Sequence, residues 1–154
     1  MRKYELYRET VLSTTMLEAW DFFSNPNNLT NITPEEMDFK VISKELPRHI
    51  HNGLIIDYVV RPLAGIPLKW KTQICAVNAP HSFVDEQLKG PYAYWHHEHT
   101  FEEKNGKVLM KDKVTYSPPF GVLGRLANTL IIRKKLNQIF DYRTQKILEI
   151  FKAD

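Results

Sequence analysis

The sequence holds a single cysteine, Cys75, which excludes an internal disulfide. No stretch approaches the roughly 18 consecutive apolar residues of a membrane-spanning helix. The opening residues, MRKYELYRET, contain no apolar signal segment. Those absences lead us to expect a cytoplasmic protein with no integral membrane contact, in which Asn28-Leu29-Thr30 and Asn31-Ile32-Thr33 carry no meaning as glycosylation sequons. There is no internal repeat, no low-complexity run and no linker, so residues 1–154 are read as one domain. Neither a phosphate-cradling glycine loop nor a Gly-x-Ser-x-Gly elbow is found. Charge of one sign is also missing: 21 basic residues face 18 acidic ones, too even a balance for a dedicated nucleic-acid binder.

Aromatic residues, in contrast, make up 12% of the chain, so a core or cavity wall should be aromatic. Residues 3–12 read as a strand. Thr15-Met16-Leu17-Glu18 has capping-box spacing and opens a helix that Ser24-Asn25-Pro26 stops. A second short helix is placed at 27–31, ahead of Pro34, and a strand at 38–45. Strands follow at 54–61, 68–78, 81–88, 92–103 and 107–116. Asn52-Gly53, Pro62 to Pro67, Asn78-Ala79-Pro80, Gly90-Pro91 and Asn105-Gly106 separate them, and connections this short imply antiparallel neighbours. Residues 123–151 read as one long helix, with Leu136, Phe140, Arg143 and Ile147 on one face and Ile139 and Ile150 beside them. A sheet must cover that stripe. The expected class is α+β: about seven antiparallel strands curved around a long C-terminal helix, with two short helices after the first strand.

This element order resembles the START-like superfamily (SRPBCC), also called the Bet v 1 or helix-grip fold. Within it, Phe83-Val84-Asp85-Glu86-Gln87-Leu88-Lys89-Gly90-Pro91-Tyr92 followed by Trp95-His96-His97-Glu98-His99-Thr100-Phe101 is similar to one bacterial ligand-binding branch. That branch is grouped with polyketide cyclase/dehydrase and lipid-transfer proteins. Trp20-Asp21-Phe22-Phe23, Thr33-Pro34, Asp112 to Tyr116 with Pro118, and Ile139 to Arg143 fit the same pattern, so the likeness covers nearly the whole chain. The resemblance implies a cavity between sheet and helix. It does not choose among binding, transport, cyclisation and hydrolysis, all of which the fold hosts.

Strand parity shows which side chains share a face. Lysines mark the wet face of two strands, which turns Trp70, Thr72, Ile74 and Ala76 inward on one, and Val108, Met110, Asp112, Val114 and Tyr116 inward on the other. Trp95 and Phe101 carry His97 and His99 inward with them. Ile56, Tyr58 and Val60 share a face, and on 81–88 we place Asp85 and Gln87 inward. Counting outward from the Asn105-Gly106 turn sets His99 opposite Asp112.

The candidate ligand-binding set is therefore Tyr58, Trp70, Asp85, Gln87, Trp95, His97, His99, Asp112, Tyr116, Phe140 and Arg143. Buried polar groups need partners. Either these residues pair with one another and brace the sheet, or some of them bind the polar end of a ligand whose apolar body the aromatics hold. The expected pocket lies between the sheet and the 123–151 helix, walled by Trp70, Trp95, Tyr116 and Phe140, with Asp112 and a histidine as its polar pole. His97-x-His99 has the spacing of a metal pair but no convincing third ligand, although Asp85 or Asp112 is available. No metal and no other cofactor is expected. His49-x-His51 reads as an exposed turn, Cys75 as inert, and Arg133-Lys134-Lys135 as a solvated helix face that could, with Arg125, touch anionic lipid. The function expected is binding of a small, largely hydrophobic molecule. The alternatives are a cyclase/dehydratase-type enzyme using a His–Asp pair, and an interaction module with a vestigial cavity.

Overall fold

A computed structural model describes residues 1–61 and 65–152, so the Pro62 end of the Pro62 to Pro67 connection lies outside the described residues. Strand β1, Tyr4–Leu12, leads into helix α1, Met16–Phe23. The helix starts where the capping spacing puts it: the Thr15 side chain accepts a 3.2 Å hydrogen bond from the Glu18 backbone N–H. Glu18 does not complete the box, because its carboxylate takes the Thr14 hydroxyl at 2.5 Å. Two 3₁₀ segments, Pro26–Ile32 and Glu35–Met37, follow. The strand expected over 38–45 shrinks to β2, Lys40–Val41. Left-handed backbone at Asp38 (φ 45°) and Glu45 (φ 55°) bounds it, and both Ile42 and Ser43 N–H groups donate to the one Asp57 carbonyl, which breaks the ladder.

Five long strands complete the sheet: β3 Ile55–Val60, β4 Leu68–Asn78, β5 Ser82–Lys89, β6 Tyr94–Lys104 and β7 Lys107–Ser117. Every pairing is antiparallel, in the order β1-β7-β6-β5-β4-β3-β2, so the first strand closes against the last. Asn105 and Gly106 both take positive φ, 54° and 76°, and the two-residue turn pairs Lys104 with Lys107 and His99 with Asp112. Parity holds along β6 and β7 but fails near the end of β4. Ala76, expected inward, sits at φ 49° in a bulge, is exposed, and hands the inner face to Val77, which packs on the core.

The C-terminal helical run grips the concave face. It starts earlier than expected, with α2 at Gly121–Ala127, passes through a π-turn at Asn128–Ile132, and continues as α3, Arg133–Ile150. Leu136, Phe140 and Ile147 form the buried stripe of α3, each contributing about 1.5–3 kcal/mol through burial. Two close contacts set the start of the run. Gly124 approaches the Pro119 carbonyl so closely that a Cβ would overlap it. Asn128, fully buried, accepts a 2.7 Å bond from the Tyr116 hydroxyl. Gly124→Ala is expected to destabilise the protein by about 1–3 kcal/mol, because α2 must shift off Pro119. Urea unfolding measures this, and an unchanged midpoint would contradict the close approach.

Candidate functional site

Two apolar clusters fill the space under the helix. One joins Leu12, Ala19, Phe83, Phe101, Met110 and Ile147, with Trp20, Phe22 and Phe23 against it. The other joins Trp70, Trp95, Val114, Tyr116, Leu136 and Phe140. Between them runs a polar belt at one level of the sheet. Four elements contribute to it: Asp112 lies between Met110 and Val114 on β7, His97 and His99 between Trp95 and Phe101 on β6, Asp85 next to Phe83 on β5, and Arg143 between Phe140 and Ile147 on α3.

The belt is linked from Asp85 through the histidines to Asp112, with His99 Nδ1 and Arg143 Nε left without a hydrogen-bond partner among the described residues. His97 Nε2 lies 2.7 Å from Asp112 Oδ1, and its Nδ1 lies 3.3 Å from Asp85 Oδ2. His99 Nε2 lies 2.5 Å from the same Asp85 oxygen. The two imidazoles stack at 3.7 Å, and Phe83 covers the other face of His99 at 4.1 Å. Trp95 Nε1 donates to Asp85 Oδ1 at 3.3 Å, and Arg143 approaches Asp112 at 3.7 Å. Although the backbone register sets Asp112 opposite His99, the short hydrogen bond goes diagonally to His97; His99 Nδ1 remains 3.5 Å from Asp112.

Burial opposes the Asp112 carboxylate, but the Arg143 charge and the His97 bond outweigh it and hold its pKa well below the carboxylate range. Burial likewise opposes Asp85, and His97, His99 and Trp95 together bring it below its ordinary value. For His99 burial dominates, assisted by the neighbouring His97, and pushes the imidazole down to about 4 in spite of both carboxylates. Tyr58 and Tyr92 are pushed up, first by burial.

Beside this belt lies a cavity of about 180 Å³. Of the expected set, Tyr58, Trp70, Asp85, Trp95, His97, His99, Phe140 and Arg143 line it. Three residues do not. Asp112 sits behind the histidines, 2% exposed, so the polar pole at the cavity wall is Asp85 with His97 and His99. Gln87 spans the β5–β6 turn instead, exchanging hydrogen bonds of 2.8 and 3.1 Å with the Tyr92 backbone. Tyr116 is held under the helix by Asn128 and packs on Tyr4 and Tyr92. The sequence reading missed the wall opposite the sheet, made by Phe22, Phe23, Leu29, Ile32 and Met37 from α1 and the 3₁₀ segments, together with Phe39. Phe22 and Phe23 lie in the expected first helix, and Leu29 and Phe39 in the expected 27–31 helix and 38–45 strand, but elements this short gave no face to read.

Asp85, His97 and His99 each offer a ligand atom within 4.8 Å of the others, so of the two aspartates available as a third ligand Asp85 is the one grouped with both histidines. A metal at about 2.0–2.1 Å from two ligand atoms holds them roughly 3 Å or more apart. The 2.5 Å separation of His99 and Asp85 is a hydrogen bond, and the group must open to admit an ion.

No protein-family model matches the chain, and no curated protein matches it. Solved structures do. Ginseng major latex-like protein 151 from Panax ginseng aligns with a TM-score of 0.69 at 13% identity, over 98% of this chain and 99% of its own. A protein from Thermus thermophilus gives 0.71 at 11%, covering 96% and 99%. The di-domain ARO/CYC protein BexL from the BE-7585A biosynthetic pathway gives 0.73 at 15%, over 99% of this chain and 51% of BexL. At these identities the shared property is the fold, the helix-grip fold of the Bet v 1 and START-like proteins.

Unfolding returns His99 to its ordinary 6.5, so between that pH and about 4 the unfolded chain binds a proton that the folded chain does not. Stability is expected to fall as pH falls through this window, by about 3 kcal/mol in all. Below it, the depressed Asp85 and Asp112 pKa values continue the loss. Asp112→Asn should cost about 3–5 kcal/mol at neutral pH, because Arg143 loses its buried counter-charge and the short bond to His97 is weakened. Denaturant midpoints across the pH series measure both effects. A His99→Gln protein with an undiminished slope between pH 6.5 and 4 would contradict the assignment.

Proposed function

We propose that this protein binds a small, largely apolar molecule that carries hydrogen-bond acceptor oxygen at one end. The observation that carries the reading is the mismatch between a mostly apolar cavity and the polar atoms left over in its wall. Trp70 Nε1 and Arg143 Nε are buried without a hydrogen-bond partner among the described residues, and both residues line the cavity. Both are donors, and a buried donor without an acceptor costs about 1–3 kcal/mol. A ligand carbonyl or carboxylate would relieve that cost, while Tyr58, Trp95, Phe140 and Ile139 hold its apolar part. At about 180 Å³ the cavity is smaller than the roughly 300–1,000 Å³ of drug-sized clefts, which favours a compact ligand.

A cyclase/dehydratase-type enzyme is the second reading, favoured by one feature. His99 and the Asp85 carboxylate form a hydrogen-bonded pair at the cavity wall, the arrangement that orients an imidazole for proton transfer, although burial leaves His99 a weak base at neutral pH. A cyclase or dehydratase of this kind would move a proton on a bound substrate. The ARO/CYC name of BexL belongs to that protein and adds only the shared fold. The cavity itself weighs against a purely vestigial interior.

8-Anilinonaphthalene-1-sulfonate serves as the probe, since it joins aromatic bulk to an acceptor-rich anion. Fluorescence titration is expected to show one saturable site. Ile139→Trp, which fills the cavity from α3, should weaken the probe at least about tenfold with little change in melting temperature. Probe binding that survives this change would remove the cavity as the site. Native mass spectrometry of the purified protein then separates the two readings: a copurified molecule supports binding, and its conversion on incubation supports catalysis. Chelation is expected to leave stability and probe affinity unchanged, because the Asp85–His97–His99 group is closed by hydrogen bonds. Stoichiometric zinc lost together with stability in His97→Ala would reverse that conclusion.

A further inference from the structure

Outside the cavity, exposed apolar side chains concentrate in one stretch, Phe120, Val122, Leu123, Leu126, Leu130 and Ile131. A surface helix ordinarily turns its apolar residues inward. Here the arrangement is inverted: Gly124 and Asn128 are buried, while Leu123 is 73% exposed and Phe120 83% exposed. The rotation is locked rather than loose. Asn128 is held by the Tyr116 hydroxyl at 2.7 Å, and Gly124 is pressed on the Pro119 carbonyl, so rolling the leucines inward breaks a buried hydrogen bond and drives side chains into backbone. Phe120 heads the run at φ 67°, a conformation unfavourable for an aromatic residue.

Charge follows the same stretch. No acidic residue occurs between Asp112 and Asp141, whereas Arg125, Arg133 and Lys134 flank the apolar face and form no ion pair among the described residues. Lys135 alone reaches an acid, Glu36, at 4.0 Å. We propose that the Phe120–Lys134 segment docks this protein on an anionic lipid bilayer, its leucines and Phe120 entering the headgroup region while the three cations meet lipid phosphates. A helix with an apolar face and a basic flank has the physical requirements of interfacial binding. A second copy of this chain is a poorer occupant. In a two-fold interface the segment would face itself, setting Arg125, Arg133 and Lys134 against their own copies with no acid in the segment to offset them. Docking of this kind does not depend on what the cavity holds.

Flotation with vesicles tests it. The wild-type protein is expected to float with phosphatidylcholine–phosphatidylglycerol vesicles, and at least about tenfold less with phosphatidylcholine alone or in high salt. Phe120→Asp is the discriminating variant. Aspartate tolerates the left-handed backbone better than phenylalanine does, so its melting temperature should stay level or rise. Its vesicle binding should nevertheless fall about tenfold or more, the loss of one inserted aromatic side chain. Arg133→Glu with Lys134→Glu should remove the preference for anionic lipid. Absence of flotation with anionic vesicles would overturn the proposal, as would Phe120→Asp binding as wild type does. A concentration-dependent dimer abolished by Leu123→Asp would also overturn it, assigning the face to self-association.

Discussion

Two carboxylates, Asp85 and Asp112, stand on the inner face of a sheet that a helix must cover, and the rest of the structure answers to that constraint. A buried carboxylate alone is far too costly to keep charged. Here the compensation is divided. Arg143 reaches from α3 to Asp112, and both ring nitrogens of His97 face carboxylate oxygens, one from each aspartate. The compensating cation comes from the helix and the histidines from the sheet, so the belt is complete only when α3 is seated. The polar belt thereby fixes the depth and rotation at which the helix is gripped, which an apolar stripe alone fixes only loosely.

The same constraint places the cavity. On either side of the belt apolar side chains meet, as where Phe23 packs on Phe101 and Phe151 while also walling the cavity. At the belt, short polar side chains bond sideways along the sheet and leave volume in front of them. His99 shows the effect most directly. It is sandwiched between Phe83 and His97, with Nε2 turned along the sheet to Asp85, so it offers the cavity an edge rather than bulk. The polar stretch of the cavity wall stays open because groups that bond one another laterally cannot also fill the middle.

This explains which parts were legible in the sequence. The β6–β7 hairpin was readable because a two-residue Asn-Gly turn sets the register, and alternating lysines on β7 mark the wet face. His97, His99 and Asp112 followed as inward residues. Which aspartate faces the cavity was not readable. Parity gives a face but not a depth, and His97 and His99 stand between Asp112 and the void. Gln87 and Tyr116 were misplaced for a related reason: their partners, Tyr92 and Asn128, lie beyond the ends of their strands, where periodicity carries no information. Ala76 was misplaced because one left-handed residue reverses parity from that point on.

Tyr116 links the sheet to the exposed face of the helical run. It continues the inner face of β7 past Asp112 and Val114, and its hydroxyl leaves the core to hold Asn128 at the π-turn. An α-helix through the same residues would advance each side chain by about 100°, whereas the wider π-turn changes the phase between α2 and α3. That change lets α3 present Leu136, Phe140 and Arg143 to the sheet while α2 presents Leu123 and Leu126 to the outside. One rotational phase serves burial and the other serves exposure. The requirement that a buried tyrosine hydroxyl find a partner keeps the two apart.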